Sequence, residues 1–169
     1  DRLRADIVGD GNVPEVFHVS SYPPGASVFW CYICLNEIDV GIQLESSAQG
    51  NYHLQQGNPV NLGTYRIELV SEDTKTYTVR HYSITNTANN DHTREFVHFE
   101  LPWPDFGLPD PTAYLEMMKE YEALIHHKSG SINVHVHCRG GIGRSGTFIF
   151  TRVLWCHPDV TPEDASQLL

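Results

Sequence analysis

The sequence lacks a long apolar run, carries little positive charge and holds four cysteines in 169 residues. No stretch approaches the ~20 apolar residues of a membrane-spanning helix, and the first residues lack the apolar centre of a secretory signal. Lys and Arg number 11 against 21 Asp and Glu, so the net charge of −10 repels nucleic acid and acidic lipid headgroups. We therefore expect a protein that is neither exported nor inserted into membrane and has no nucleic-acid partner. Any phosphate-binding site must be local.

Cysteine usage favours a reducing compartment, because four cysteines without an export signal do not suit a disulfide framework. Cys31 and Cys34 have the C-x-x-C spacing of a redox dithiol or half a zinc site, but no second such pair follows. They lie in the apolar run 28–37, VFWCYICLNE, which predicts a buried helix. Both thiols are therefore predicted to be buried in the core.

Length and hydrophobic periodicity predict one domain of the α/β class. A hydrophobic content of 40% in 169 residues suffices for a single core. Alternating or short apolar runs predict strands at 16–19, 40–44, 64–70, 77–85, 96–101 and 132–137. Apolar spacing of three and four predicts helices at 28–37, 111–128 and 147–155, with a last one starting after Thr161. The acidic segment 71–75 and the polar segment 86–91 are interpreted as connections, so helices flank a sheet.

The strand predicted at 132–137 runs directly into HCRGGIGRSG, residues 137–146, and an apolar helix follows. The glycines let the backbone curl until successive N–H groups converge on one anion, and the helix start adds unpaired donors. Cys138 lies at the mouth of this ring, where donors lower the pKa of a thiol and make it a thiolate at neutral pH. We predict a phosphate-binding loop with Cys138 as its nucleophile.

Arg144 and Ser145 strengthen this prediction. Arg144 lies in the expected first turn of a helix, where a cation is disfavoured unless an anion is bound. Its guanidinium can hold two equatorial phosphate oxygens in both the ground state and the transition state. Ser145 places a hydroxyl where it would stabilise the thiolate that leaves a phosphocysteine. The other expected phosphate ligands are Arg139, Gly140, Gly141, Ile142 and Gly143, with the Arg139 side chain either adding positive potential at the rim or solvated.

An acid is also needed to protonate the departing oxygen, and this step is typically worth 10² to 10⁴ in rate. The segment 101–110, LPWPDFGLPD, lies between a predicted strand and a predicted helix. Asp105 is its candidate acid, Trp103 an anchor for the loop, and Gly107 a candidate hinge. Closure of this loop would bring the carboxyl over the phosphate and exclude water.

Together these segments resemble the tyrosine-specific, cysteine-dependent protein tyrosine phosphatases. Phe29-Trp30, LVSE at 69–72 and YTVR at 77–80 are similar to further family segments. The resemblance implies a highly twisted mixed sheet flanked by helices, phosphotyrosine-containing proteins as partners, and no cofactor or metal. It also implies roles: Cys138 as nucleophile, Arg144 as phosphate ligand, Asp105 as acid and then base, Ser145 as helper and Trp103 as loop anchor. A signalling enzyme of the cytoplasm, or the cytoplasmic domain of a receptor, is expected.

The sequence departs from the family at both ends. The family's upstream Asn-Arg-Tyr loop and its downstream glutamine loop are not found, so residues 1–169 are expected to be one catalytic domain, incomplete at both ends. Glu45 is a candidate for the family's glutamate that pairs with the signature arginine. A dual-specificity or phosphoinositide phosphatase is the alternative within the same chemistry. A phosphotyrosine-binding module with impaired turnover, and a rhodanese-like sulfur carrier, are alternatives of other classes.

Ten histidines raise the question of a metal site, which we do not predict. His126 and His127 suit a helix C-terminus, where positive charge is favourable. His137 is expected to orient the loop and favour the thiolate of Cys138. His135 stands in a strand where the family has aliphatic residues, so it needs a buried partner.

Overall fold

A mixed sheet of eight strands organises the chain. The computed structural model describes residues 3–9, 11, 13–45, 52–140 and 143–166. The strands are β1 Asp6–Val8, β2 Glu15–Ser20, β3 Val40–Gln43, β4 Val60–Leu62, β5 Tyr65–Thr74, β6 Thr78–Asn86, β7 His92–Glu100 and β8 Ile132–His137. The helices are α1 Ala26–Leu35, α2 Pro111–His126, α3 Gly143–Cys156 and α4 Pro162–Ser166. The predicted α/β class, a mixed sheet with flanking helices, is confirmed.

The strand order is β1-β2-β8-β3-β7-β6-β5-β4. The central strands β2, β8, β3 and β7 are parallel neighbours, and the remaining pairs are antiparallel. The carboxyl ends of parallel strands meet at one edge of the sheet, the usual place for a ligand site in such folds. The segments after β8, β3 and β7 therefore converge on that edge.

Helix α1 covers one face of the sheet, and α2 with α3 covers the other. Strand β7 shows the division: Val97 and Phe99 pack with Met118 of α2, whereas Phe96 packs with Trp30 of α1. The face of α2 that lies against the sheet includes both of its methionines and Tyr121, which are buried. At its start, Asp110 caps α2 by accepting from the Thr112 N–H at 3.0 Å.

Three expectations from the sequence are corrected. Helix α1 is buried on one face only, so Cys34 is in the core but Cys31 is exposed. The acidic segment 71–75 is not a turn: β5 continues to Thr74, because Glu72 pairs with Arg80 of β6 at 2.7 Å and extends the hairpin. Strand β7 begins at His92, four residues before the predicted start, and β1 and β4 were not predicted.

A buried ion cluster ties β2 to α2 and α3. The Arg152 Nε atom donates to Glu15 Oε2 at 2.5 Å, and its Nη1 atom pairs with Glu122. Tyr121 donates to the same Glu15 oxygen at 2.7 Å. A buried charge without a partner is costly, so the arrangement of β2, α2 and α3 that keeps these groups paired is favoured over arrangements that separate them.

No helix within the described part of the chain is both long enough and apolar enough to cross a membrane.

Candidate active site

Cys138 follows β8 directly and lies at the floor of a cavity of about 520 Å³. Its side chain is almost fully buried, with a relative exposure of 2%. The Ser145 hydroxyl, in the first turn of α3, donates to the Cys138 sulfur at 3.3 Å. Sequence reasoning expected this contact, and the structure places the two groups together.

Arg144 also lies in the first turn of α3 and faces the same cavity. Its Nη1 atom donates to the Trp103 carbonyl oxygen at 2.8 Å, and its Nη2 atom lies 3.5 Å from Asp105 Oδ1. The guanidinium thus connects the predicted phosphate-binding loop, which follows β8, to the segment that follows β7. A planar donor group in this position can share its remaining N–H groups with a phosphate.

The segment between β7 and α2 folds over the cavity. Trp103 is buried and its indole N–H donates to the Gly107 carbonyl at 2.9 Å, which closes the segment into a tight loop. A Cβ atom at Gly107 would lie 2.8 Å from Pro104 Cγ, so the turn requires glycine. Asp105 is about half exposed at the tip, where it can exchange protons with bound ligand and water.

The remaining expected phosphate ligands fall into two groups. Arg139, Gly140 and Gly143 line the cavity, and the Arg139 side chain is exposed at its rim. Gly141 and Ile142 lie outside the described residues. The first group forms the open side of a pocket whose floor is the Cys138 sulfur.

Behind Cys138, on the α1 face of the sheet, lies a buried polar network. Cross-strand register places His137, Gln43 and Glu100 in one row over β8, β3 and β7. The Tyr52 hydroxyl meets this row at 2.6 Å from His137 Nε2 and 3.2 Å from Gln43 Oε1. It also lies 2.9 Å from His98 Nε2 in the next row.

Helix α1 holds Tyr52 in place. The Trp30 indole N–H donates to the Tyr52 carbonyl at 2.8 Å, and the Phe29 and Tyr52 rings stack with centroids 3.7 Å apart. Burial raises the pKa of Tyr52 well above its usual value, so its hydroxyl keeps its proton. The Phe-Trp pair singled out in the sequence therefore positions a tyrosine next to the residue that precedes the nucleophile.

His137 is neutral. Burial lowers its pKa to about 4, against a smaller opposing effect of the hydrogen bond to the Cys138 carbonyl. Its Nδ1 atom lies 3.4 Å from that carbonyl oxygen and 3.7 Å from Glu45 Oε1. It thus supports Cys138 through a hydrogen bond to the loop backbone and carries no positive charge.

The structure also locates Glu45 and His135, and the pairing of Glu45 with Arg144 stays a prediction. Glu45 lies beside His137, and burial raises its pKa while the nearby Arg144 and Arg139 charges lower it. His135 has the buried partner that the sequence required, since its Nε2 atom lies 2.8 Å from Ser20 Oγ.

Sequence reasoning missed Tyr52, Gln43, His98 and His53 as parts of this site. A signal was present: the last four residues of β8, β3 and β7 read VHVH, VGIQ and VHFE. In each, apolar residues alternate with positions that face α1, and the final position is polar. Such alternation within buried parallel strands indicates a polar row inside the protein.

The histidines of this network are not arranged as metal ligands. Over the residues for which side chains are described, no group of three His, Cys, Asp or Glu side chains is placed to hold a metal ion.

Comparison with known proteins gives a consistent assignment. A model of the family described as protein-tyrosine phosphatase matches residues 24–165. The human tyrosine-protein phosphatase non-receptor type 2 is 37% identical over 91 residues, which cover 50% of this chain and 21% of that protein. The human tyrosine-protein phosphatase non-receptor type 23 is 29% identical over 146 residues, covering 80% of this chain and 9% of that protein. The chain thus spans about a fifth of the length of the first relative and less of the second.

Proposed function

The chain belongs to the protein-tyrosine phosphatase family, and from this membership we propose that it hydrolyses phosphotyrosine in proteins through a phosphocysteine intermediate. The observation that carries the proposal is the convergence of Cys138, Arg144 and Asp105 on one cavity. A nucleophile, a phosphate ligand and a proton donor are the three groups that this chemistry needs.

In the first step, the Cys138 thiolate attacks phosphorus and the bond from phosphorus to the phenolic oxygen breaks. Asp105, protonated at this stage, gives its proton to the departing oxygen, so tyrosine leaves neutral. Arg144 binds two phosphate oxygens as charge spreads over them in the transition state. The product of this step is a phosphocysteine.

In the second step, water attacks phosphorus while the Asp105 carboxylate takes a proton from it. The bond from sulfur to phosphorus breaks, and inorganic phosphate leaves. The departing thiolate is stabilised by the Ser145 hydroxyl, which lies 3.3 Å from the sulfur. Trp103 acts as the anchor of the loop that carries Asp105, and the backbone of 139–143 completes the phosphate ligands.

We place this activity in a single catalytic domain over residues 1–169, in signalling through phosphotyrosine proteins of the cytoplasm. Among the described residues the four cysteines form no disulfide with one another, which suits a reducing compartment. The names of the two relatives support phosphotyrosine as the proposed substrate, since each is called a tyrosine-protein phosphatase of the non-receptor type.

The test is release of phosphate from an aryl phosphate and from a phosphotyrosine peptide, with Cys138→Ser as the control. We expect turnover by the wild-type chain and none by the variant. Asp105→Asn should keep peptide affinity and slow turnover at least about 10²-fold, the usual share of general-acid assistance. Equal rates for Asp105→Asn and wild type would remove Asp105 from the mechanism.

Two other outcomes would replace the proposal. Binding of the phosphotyrosine peptide without turnover above the Cys138→Ser control would identify a binding module. Faster turnover of phosphoserine peptides or phosphoinositides than of phosphotyrosine peptides would identify the broader phosphatase class.

A further inference from the structure

The network behind Cys138 continues past Tyr52 to a third histidine, His53, after His137 and His98. Its Nε2 atom lies 2.9 Å from Gln43 Oε1, and its Nδ1 atom lies 2.8 Å from the Tyr82 hydroxyl. Gln43 Oε1 is therefore shared between His53 and Tyr52. This carbonyl oxygen only accepts and has two lone pairs, so a strong hydrogen bond from one neighbour leaves it a weaker acceptor for the other.

The Tyr82 hydroxyl decides which nitrogen of His53 carries the proton. Its oxygen also receives the backbone N–H of Leu54, which leaves the hydroxyl proton for His53 Nδ1. The imidazole must then carry its own proton on Nε2 and donate it to Gln43. Burial, together with the Arg80 charge, lowers the pKa of His53, so it has a single proton to place.

The opposite end of the network decides the tautomer of His137. Its Nδ1 atom faces the Cys138 carbonyl and the Glu45 carboxylate, both of which are acceptors. A neutral His137 therefore carries its proton on Nδ1, and Nε2 accepts from Tyr52 at 2.6 Å. His98 Nδ1 has no hydrogen-bond partner among the described residues, so the His98 proton is best placed on Nε2, where it donates to the Tyr52 oxygen at 2.9 Å. Tyr52 has one proton, and the acceptors for it are then His137 and Gln43.

We propose that His53 is a positioning residue for the reaction: by donating to Gln43, it directs the Tyr52 proton to His137 and so holds the Cys138 carbonyl in place. Without that donation Gln43 would take the Tyr52 proton, and His137 would turn to the Nε2–H tautomer. A bare Nδ1 would then face the Cys138 carbonyl and the Glu45 carboxylate, which would repel it. The inference rests on the proposed phosphatase function for its catalytic consequence.

The charged and titratable surroundings of His53 come from each strand packed against it. Glu100 of β7 lies 4.0 Å from its Nε2 atom, and the His98 ring centroid lies 4.4 Å from its own. On β6, Arg80 pairs with Glu100 at 2.7 Å, and its positive charge lowers the pKa of His53. The other titratable neighbours are Tyr52, Tyr82 and His137.

The experiment combines imidazole tautomers from ¹⁵N NMR with steady-state kinetics on an aryl phosphate. In the wild-type chain we expect Nε2–H at His53 and Nδ1–H at His137. In His53→Phe, the Nε2–H form of His137 should become dominant and kcat should fall about tenfold, the equivalent of one hydrogen bond, with KM unchanged. His53→Gln keeps an N–H donor for Gln43 and should restore both values.

Two further variants distinguish a positioning role of His53 from nonspecific disruption of the folded structure. Gln43→Leu removes the competing acceptor, so His53→Phe/Gln43→Leu should return His137 to Nδ1–H. His81→Phe removes a more exposed histidine of β6, which lies 3.6 Å from Glu95, and should change neither tautomer nor kcat.

Several results would overturn the inference. The Nδ1–H form at His53 in the wild-type chain would mean that Gln43 presents its amide NH₂, and this measurement needs no variant. His137 in the Nδ1–H form in a folded His53→Phe would also refute it. If the tautomers behave as expected but the wild-type chain releases no phosphate, the proposed function fails and the hydrogen-bond assignment stands.

Discussion

At the scale of single residues, the Cys138 sulfur has two kinds of neighbour. In front of it lies the open cavity with Arg144, and beside it the Ser145 hydroxyl donates at 3.3 Å. A hydrogen bond to a charged group contributes about 1.5–3 kcal/mol. In the proposed reaction, this contribution would act in the second step, when the thiolate leaves phosphorus.

Ser145→Ala should therefore slow hydrolysis of the phosphocysteine by roughly 10- to 100-fold, as loss of a bond of that strength implies. Because formation of the intermediate is less affected, rapid mixing with an aryl phosphate should reveal a stoichiometric burst of phenol before the slow steady state.

The matched control is Thr151→Val, which removes another hydroxyl from α3. That hydroxyl lies 2.9 Å from Tyr114 Oη and donates to the Thr147 carbonyl, away from the sulfur. A burst of equal size in Ser145→Ala and wild type would show that the hydroxyl does not assist the second step.

At the scale of elements, the site is an edge where strand ends meet. Strand β8 delivers Cys138, β7 leads to the loop of Asp105, and β3 leads to Glu45. Within β3, Gly41 lies between His135 and His98 of the neighbouring strands. The absence of a side chain there leaves room for the rings of β7.

Gly41→Ala should lower the free energy of unfolding by roughly 1–3 kcal/mol, the usual cost of overpacking a core. The new Cβ would lie 2.8 Å from both His98 Cδ2 and Phe96 Cζ, so buried rings would have to move. Urea unfolding followed by circular dichroism measures the change.

Gly146→Ala serves as the comparison for this prediction. A Cβ there meets no described atom within 4 Å, and it lies inside α3. Alanine in a helix should stabilise by about 0.5–1 kcal/mol. Stabilisation by Gly41→Ala as well would contradict the close packing of β3 against β7.

At the scale of the whole molecule, the chain has a net charge of −10, and several of its histidines are buried in the neutral form. Burial lowers the pKa values of His53, His98, His135 and His137. In the unfolded chain the same groups take protons near pH 6.5. Folding therefore excludes protons from four side chains in mildly acidic solution.

The free energy of unfolding should be pH-independent with respect to these groups above about pH 6.5 and fall below it. The reason is that the unfolded state binds more protons there, at about 1.4 kcal/mol per pH unit for each histidine. For His137 the loss continues down to about pH 4, where the folded state also protonates.

Urea titrations at about pH 7, 6 and 5 would measure this slope by linear extrapolation. His98→Phe removes one titrating group, so it should reduce the slope of the free energy of unfolding against pH by the contribution of one histidine. This holds even if the substitution also changes the free energy of unfolding at about pH 7. A wild-type chain with equal stability across this range would contradict the neutral buried histidines.

Much of the fold and of the candidate site was predictable from local patterns. The strand before Cys138, the helix that starts at Gly143 and the loop of Asp105 are each encoded by residues close to the candidate site residue that they position. Local periodicity and turn residues determine such segments, so their positions follow from the sequence. The length of β5 was not predictable in this way, because the pair of Glu72 with Arg80 stabilises it from the neighbouring strand.

The sequence by itself predicted a phosphate-binding loop, the candidate nucleophile within it and a candidate acid that lies 33 residues before that nucleophile. Only the tertiary structure decided what stands behind the nucleophile. Tyr52 meets His137 across 85 residues and His98 across 46. These contacts depend on strand order and register, which bring rows of distant side chains together, and no spacing along the chain encodes them.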